Sequence, residues 1–170
     1  MPTTIAQTLL PSGRTSLGYT DRLLTGVDAS RFARMPEGIT TNHPAFNLGH
    51  LAIYPEKLLR FMGREDLAID ESAYSEIFGP SAECQDDPDA SIYPPMHEII
   101  ERYRSRHEVL LGVVAENEDS VLQQTHPHEG MRDRFHTLGS MLAFMLSGHM
   151  MMHLGQISTW RRCMGLGPAM

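Results

Sequence analysis

Apolar residues recur along this chain at spacings of three, four and seven, the period of an α-helix rather than the alternation of a strand. Leu17, Leu23, Leu24 and Val27 give an apolar face to a first helix, expected over residues 12–27. Pro11 and Gly13 predict that no continuous helix reaches back to the N-terminus, leaving residues 3–10 a short turn at most. Residues 28–41 read as a connection punctuated by Pro36 and Gly38. A second helix is expected over residues 43–62. Asn42 or His43 can cap it, Pro44 suits its first turn, and Gly63 stops it. Phe46, His50, Tyr54 and Phe61 share one side of it.

A third helix opens at Pro94-Pro95 and runs to Glu116. Its seam is Met96, Ile100, Tyr103, His107, Leu110 and Val114, with Glu101, Arg104 and Glu108 on the wet side. A fourth is expected over residues 132–163. Its seam is Phe135, Leu138, Leu142, Met145, His149, His153, Gln156 and Trp160, all within roughly 40° of the His149 direction at about 100° per residue. The stretch 64–93 is long and polar, with room for a helical turn at 72–78. Such a connection is uncommon inside a compact domain. An overhand crossover that lets helices two and three run parallel explains it. The expected fold is therefore all-α, a single domain over residues 1–170, built as an up-down-down-up four-helix bundle.

The composition, 41% hydrophobic and 21% charged, supports a buried core and excludes collagen, a disordered tail and a membrane protein. No apolar run approaches the roughly 20 residues that span a bilayer. No basic segment precedes the short apolar stretch near the N-terminus, so no signal peptide is expected. Cys84 and Cys163 make neither a disulfide framework nor a CxxC, which fits a reducing cytoplasm. A net charge of −7 argues against a nucleic-acid partner. Of the twelve methionines, Met150-Met151-Met152 reads as core packing.

The nine histidines change the picture. His149 and His153, four apart, place two imidazoles on one helix face, one turn apart and able to chelate a single ion. They interrupt an apolar stripe, where two unpartnered polar rings would cost a few kcal/mol. His50 also lies on an apolar face, between Phe46 and Tyr54. Gly49 and Gly148, each beside one of these histidines, would let helix backbones approach. Other chemistries lack their residues. HExxH fails because position 150 is Met150, there is no ExxH for a di-iron carboxylate site, and no Walker, GxSxG or GxGxxG sequence occurs. Cys163, beside Arg161 and Arg162, reads as a terminal packing residue rather than a nucleophile.

Two segments resemble the DinB/YfiT-like superfamily of metal-binding four-helix bundles. Asn42-His43-Pro44-Ala45-Phe46-Asn47-Leu48-Gly49-His50-Leu51 is similar to its N-x-x-x-W-x-x-x-H-L. His149-Met150-Met151-Met152-His153-Leu154-Gly155-Gln156-Ile157, followed by Arg161-Arg162 and Gly165, is similar to its H-x-x-x-H-x-G-Q-I. Phe46 departs from the usual tryptophan, at what looks like a packing position. The resemblance implies one divalent transition metal per chain, commonly zinc or nickel, held by His50, His149 and His153. It also implies the up-down-down-up topology and frequent homodimers. Members with known activity join a low-molecular-weight thiol to an electrophile, or isomerise a substrate with mycothiol.

Three protein ligands leave an open metal position, where water or a thiol is activated. Asn47 and Gln156 lie on the ligand face and can orient a bound water or a small-molecule substrate, although Gln156 serves equally as a helix-packing amide. Tyr54 can reach the site with its hydroxyl, though packing is its simpler role, and Lys57 snorkels to water. His107 falls about 9 Å out of level at 1.5 Å per residue, so it is kept outside the ligand set. His43 belongs to the helix start; His97, His126, His128 and His136 read as surface residues. Two functions remain. One is a metal-dependent thiol transferase or hydrolase acting on a small molecule. The other is a non-catalytic, metal-stabilised bundle acting through self- or partner association.

Overall fold

A computed structural model describes residues 4–169. It is all-helical, and among the described residues the only β pairing is an isolated bridge between Thr125 and Thr137. The elements are α1 (Ile5–Leu24), α2 (Ala29–Phe32), α3 (Pro44–Leu51), α4 (Tyr54–Phe61), α5 (Ser72–Phe78), α6 (Met96–Glu116), α7 (Asp119–Leu122), α8 (Leu138–Ala143) and α9 (Met150–Cys163). A π-helical turn, Phe144–His149, joins α8 to α9. α1 packs against α6, α9 and the π turn, and α3 packs against α6 and α9.

α1 corrects the expected break at Pro11, because the helix runs straight through it. Thr4 and Gln7 form a capping box that starts the helix early, with Gln7 N–H donating to Thr4 Oγ1 and Thr4 N–H to Gln7 Oε1. Pro11 and Gln7 both face solvent, so the carbonyl that Pro11 cannot satisfy is left to water. Gly13 is not a breaker either. A Cβ there would lie 2.7 Å from Leu111 Cδ2, so the glycine lets α1 lie close on α6.

The second expected helix is two. His43 caps α3, its Nδ1 accepting from Phe46 N–H at 3.2 Å. Pro55 then ends the run, since it has no N–H for the Leu51 carbonyl. The chain turns at Ala52 and Ile53 before α4 begins. Gly63, at φ 70°, stops α4 as the sequence predicts. Glu56 on α4 is fully buried and takes two bonds from Arg106 of α6, at 2.6 and 3.0 Å, with Ile69 N–H as a third donor.

The last expected helix starts later and is interrupted by the π turn. Thr137 caps α8, so residues 132–137 lie outside it, although Phe135 is still buried. In the π turn the Ser147 hydroxyl donates to the Ala143 carbonyl, and the buried Ser16 hydroxyl lies 3.5 Å from the Leu146 carbonyl. Below it the core-facing residues are Met150, Leu154, Ile157 and Trp160. His149 and His153 flank that stripe, half-buried, rather than lying at its centre, and Gln156 is exposed. Met150 is buried, but Met151 and Met152 are exposed at 43% and 61%, against the packing expectation for all three. Cys163 is exposed as well, so it does not pack the helix end.

One apolar cluster gathers Leu23, Phe32, Phe46, Phe78, Tyr103, Leu154 and Trp160; a second gathers Leu9, Leu58, Leu110, Leu122, Phe135, Leu142 and Leu146. Arg161 reaches across the end of α1, donating to the carbonyls of Leu23 and Thr25 at 2.6 and 2.7 Å. Trp160 Nε1 donates to the Arg34 carbonyl at 2.7 Å. These bonds anchor α9 and thereby the face that carries His153.

Candidate metal centre

The structure brings His50, His149 and His153 together, one ring nitrogen of each lying within 4.8 Å of the others. His50 lies in the last turn of α3, His149 ends the π turn, and His153 is one turn into α9. The ring centroids of His50 lie 5.6 Å from His149 and 4.7 Å from His153.

Local hydrogen bonds decide which nitrogens face inward. His50 Nδ1 donates to the Phe78 carbonyl at 2.7 Å, which leaves Nε2 a bare acceptor. The Tyr54 hydroxyl donates to that Nε2 at 3.2 Å. Asn47 is oriented first: its Nδ2 donates to the carbonyls of Asn42 and His43 at 3.2 and 3.3 Å. Its Oδ1 is thereby turned toward His153, where it accepts from Nδ1 at 2.9 Å and frees Nε2. Such partners on the far nitrogen fix ring orientation and tautomer in metal sites.

Electrostatics point the same way. Burial pushes His149 down to about 3, with His153, His50 and His107 adding to the fall. Burial and then His50 push His153 down to about 4, opposed by Gln156 beside it. His50 is lowered by burial, opposed by its bond to Phe78 and helped down by Lys57. No carboxylate among the described residues stands near enough to favour their charged forms. Three neutral imidazoles with bare nitrogens facing one point are the state in which histidine binds a metal, so the donor set fits a divalent transition ion.

Around the three rings the other expected residues take definite places. Gln156 Oε1 accepts from Asn42 Nδ2 at 3.1 Å. The Tyr54 ring lies 4.6 Å from His149, and burial raises its hydroxyl pKa, so the group stays a donor. Gly49 does not serve backbone approach: a Cβ there would lie 2.4 Å from the Phe78 ring, so this glycine seats the ring whose carbonyl holds His50. Gly148 faces only Phe144, four residues earlier, at 3.3 Å.

His107 is buried outside the group, its Nδ1 donating to the Tyr103 carbonyl at 2.7 Å. His126 is a correction to the surface reading. It is fully buried, its Nε2 lies 2.7 Å from Met141 Sδ, and its ring packs on Phe61. Sequence reasoning missed Phe78, whose backbone carbonyl carries no residue-type signal. It also missed Phe144, the ring 5.9 Å from His149. A groove of about 960 Å³ between α2 and α6, lined by Phe32, Tyr93, Met96 and Ile100, lies away from the three histidines. Among the described residues no helix is long and apolar enough to cross a membrane.

No curated protein matches the chain. A family model does: that of the DinB superfamily, over residues 14–157, a span containing all three histidines. Most of the sequence is covered, and the chain belongs to the DinB superfamily.

Proposed function

We propose that the protein is a metal-dependent enzyme whose His50, His149 and His153 hold one divalent transition metal, zinc or nickel, and activate a thiol or a water. Its reaction is transfer of a low-molecular-weight thiol to an electrophile, or hydrolysis of a small molecule. The observation that carries this reading is the convergence of three neutral histidine nitrogens, two of them freed by named hydrogen bonds at the opposite nitrogen.

A divalent ion in this position lowers the pKa of a bound water toward about 7, or holds a thiol deprotonated. The chain's own groups do the rest. Asn47 keeps the His153 ring turned inward, and the Phe78 carbonyl does the same for His50. The Tyr54 hydroxyl loses its acceptor once His50 Nε2 is occupied, and is then free to donate to a substrate atom. The Gln156 amide stands at the open edge, tied to Asn42 and placed to orient a ligand. The half-buried faces of His149 and His153 leave a side for a small molecule to enter.

The finer architecture goes with this reading. α1, α3 with α4, α6, and α8 with α9 are the four rods of an up-down-down-up bundle that forms one domain over residues 1–170. The chain works in a reducing cytoplasm and pairs as a homodimer, which the exposed Met151 and Met152 support. A second reading, a non-catalytic bundle that uses the ion for stability, is favoured by the absence of a carboxylate base beside the histidines among the described residues.

Elemental analysis of tag-free wild type and His153→Ala tests the proposal. About one equivalent of a transition metal in wild type, lost in the variant, supports it. No metal in either protein after incubation with zinc or nickel overturns it. Chelation that lowers Tm without abolishing any thiol-transfer or hydrolytic turnover favours the second reading.

A further inference from the structure

Lys57 is the only lysine in the chain. It is exposed, and its Nζ stands 5.9 Å from the centre of the Tyr54 ring, which touches both His50 and His149. Arg134 is placed alike from another segment. Its Cζ stands 5.0 Å from the centre of Phe144, the ring beside His149. Each cation is thus one aromatic ring away from the histidine group.

Neither cation has a carboxylate partner among the described residues, whereas Arg31, Arg34, Arg60, Arg64, Arg104 and Arg106 all do. Glu71 is the acid that feels Lys57, but both of its oxygens are bonded by Arg60 at 2.8 Å. No acid acts on the three histidines either. A divalent ion on three neutral rings would add two uncompensated positive charges. With such an ion held, the region between Lys57 and Arg134 would be locally positive in a chain whose net charge is −7. Fields of this kind select and steer ligands of opposite sign.

We propose that the substrate taken at this site carries a carboxylate, engaged by the Lys57 ammonium, with Arg134 adding to the field from the Phe144 side. This rests on the metal-site reading above and narrows it: the thiol form of the substrate is a short mercapto-acid rather than a neutral thiol. The flexible lysine stem lets the ammonium meet a carboxylate a few bonds from the sulfur.

Reductive methylation with ¹³C places a reporter on Lys57 that keeps its charge and gives one side-chain resonance. In zinc-supplemented protein, 3-mercaptopropionate is expected to move that resonance saturably, and 2-mercaptoethanol to leave it still. In cobalt-substituted protein both thiols are expected to perturb the absorption spectrum, the mercapto-acid at a Kd at least ten-fold lower. Lys57→Gln and Arg134→Gln should each shrink that ratio several-fold and leave 2-mercaptoethanol binding unchanged. Equal affinities with a motionless Lys57 resonance overturn the carboxylate site while the metal-site reading survives. If neither thiol perturbs the cobalt spectrum, or no cobalt binds, the thiol reading fails and propionate decides the rest. A Lys57 shift with propionate, absent with propionamide and weakened in Arg134→Gln, upholds the anion site; no shift overturns it.

Discussion

Asn47 Oδ1 accepts a hydrogen bond from His153 Nδ1 at 2.9 Å, joining residues 106 positions apart. The bond makes α3 the template for a ring on α9. Its geometry is inherited from the two carbonyls that turn the Asn47 amide. Asn47→Ala is therefore expected to weaken metal binding by roughly 10–100-fold without removing a ligand. Asn47→Asp keeps an acceptor for His153 but loses the donor that the Asn42 and His43 carbonyls hold, so its affinity should fall between those of Asn47→Ala and wild type. Competition titrations against a chromogenic chelator measure both, and equal losses in the two variants would refute the orienting role.

Gly49→Ala should harm both stability and the site. The new methyl would meet three Phe78 ring atoms at 2.4–2.5 Å, and that ring is fully buried. Overpacking of this kind costs about 1–3 kcal/mol. Because the Phe78 carbonyl orients His50, metal affinity should fall together with Tm. Urea denaturation and metal titration of the same preparation check the pairing of the two losses.

Glu56 and Arg106 form a buried pair, at 0% and 12% side-chain exposure. Removing one partner strands a charge, at a cost of about 3–5 kcal/mol. Glu56→Leu and Arg106→Met should each destabilise strongly, and the double variant should lose less than the two single losses added together. A thermodynamic cycle from chemical denaturation measures the coupling; strict additivity would contradict it.

His107 gives the metal-free protein an acid-sensitive step. Burial holds its pKa down to about 4, opposed by the bond to the Tyr103 carbonyl, against 6.5 for a free imidazole. Between those values the unfolded chain binds a proton that the folded chain refuses. Unfolding free energy therefore rises with pH across that window, and the contribution is lost as pH falls from about 6.5 toward 4. The loss is on the order of 3 kcal/mol at about 1.4 kcal/mol per pKa unit. His149, His153 and His50, also held down by burial, add to the same dependence. His107→Gln should therefore reduce its slope by one proton's share without abolishing it, read by urea midpoints at pH 7, 5.5 and 4.5.

The helical class was legible because apolar spacing of three and four is a direct consequence of helix geometry. His149 and His153 could be grouped for the same reason, four residues being one turn. His50 came with them because a histidine between Phe46 and Tyr54 on an apolar face needs a partner. What stayed hidden depends on contacts made only after folding. Pro11 is tolerated because its side of α1 meets water, a matter of tertiary packing. Gly13 looks like a breaker until Leu111 lies against it. Pro55 carries a signal that the sequence alone does not settle, since Pro11 shows that a missing N–H is tolerated on a wet face, whereas Pro55 and Leu51 are both buried. His126 is buried by Phe61 and Met141, from segments that no local pattern connects.

The π turn has a consequence for insertions and deletions. A helix containing one wider turn carries a phase offset, and everything beyond it is rotated by about 100° relative to a uniform α-helix. Deleting one residue from Phe144–His149 would let the turn relax to α geometry. α8 and α9 would then both keep their present faces, because the residue removed is the one the wide turn absorbs; closing the turn without a deletion would instead rotate His153 away from Asn47. A one-residue deletion in the turn should thus act like slack taken out between two shafts, far milder than a one-residue deletion between His149 and His153, which would turn the two rings about 100° apart from their present alignment.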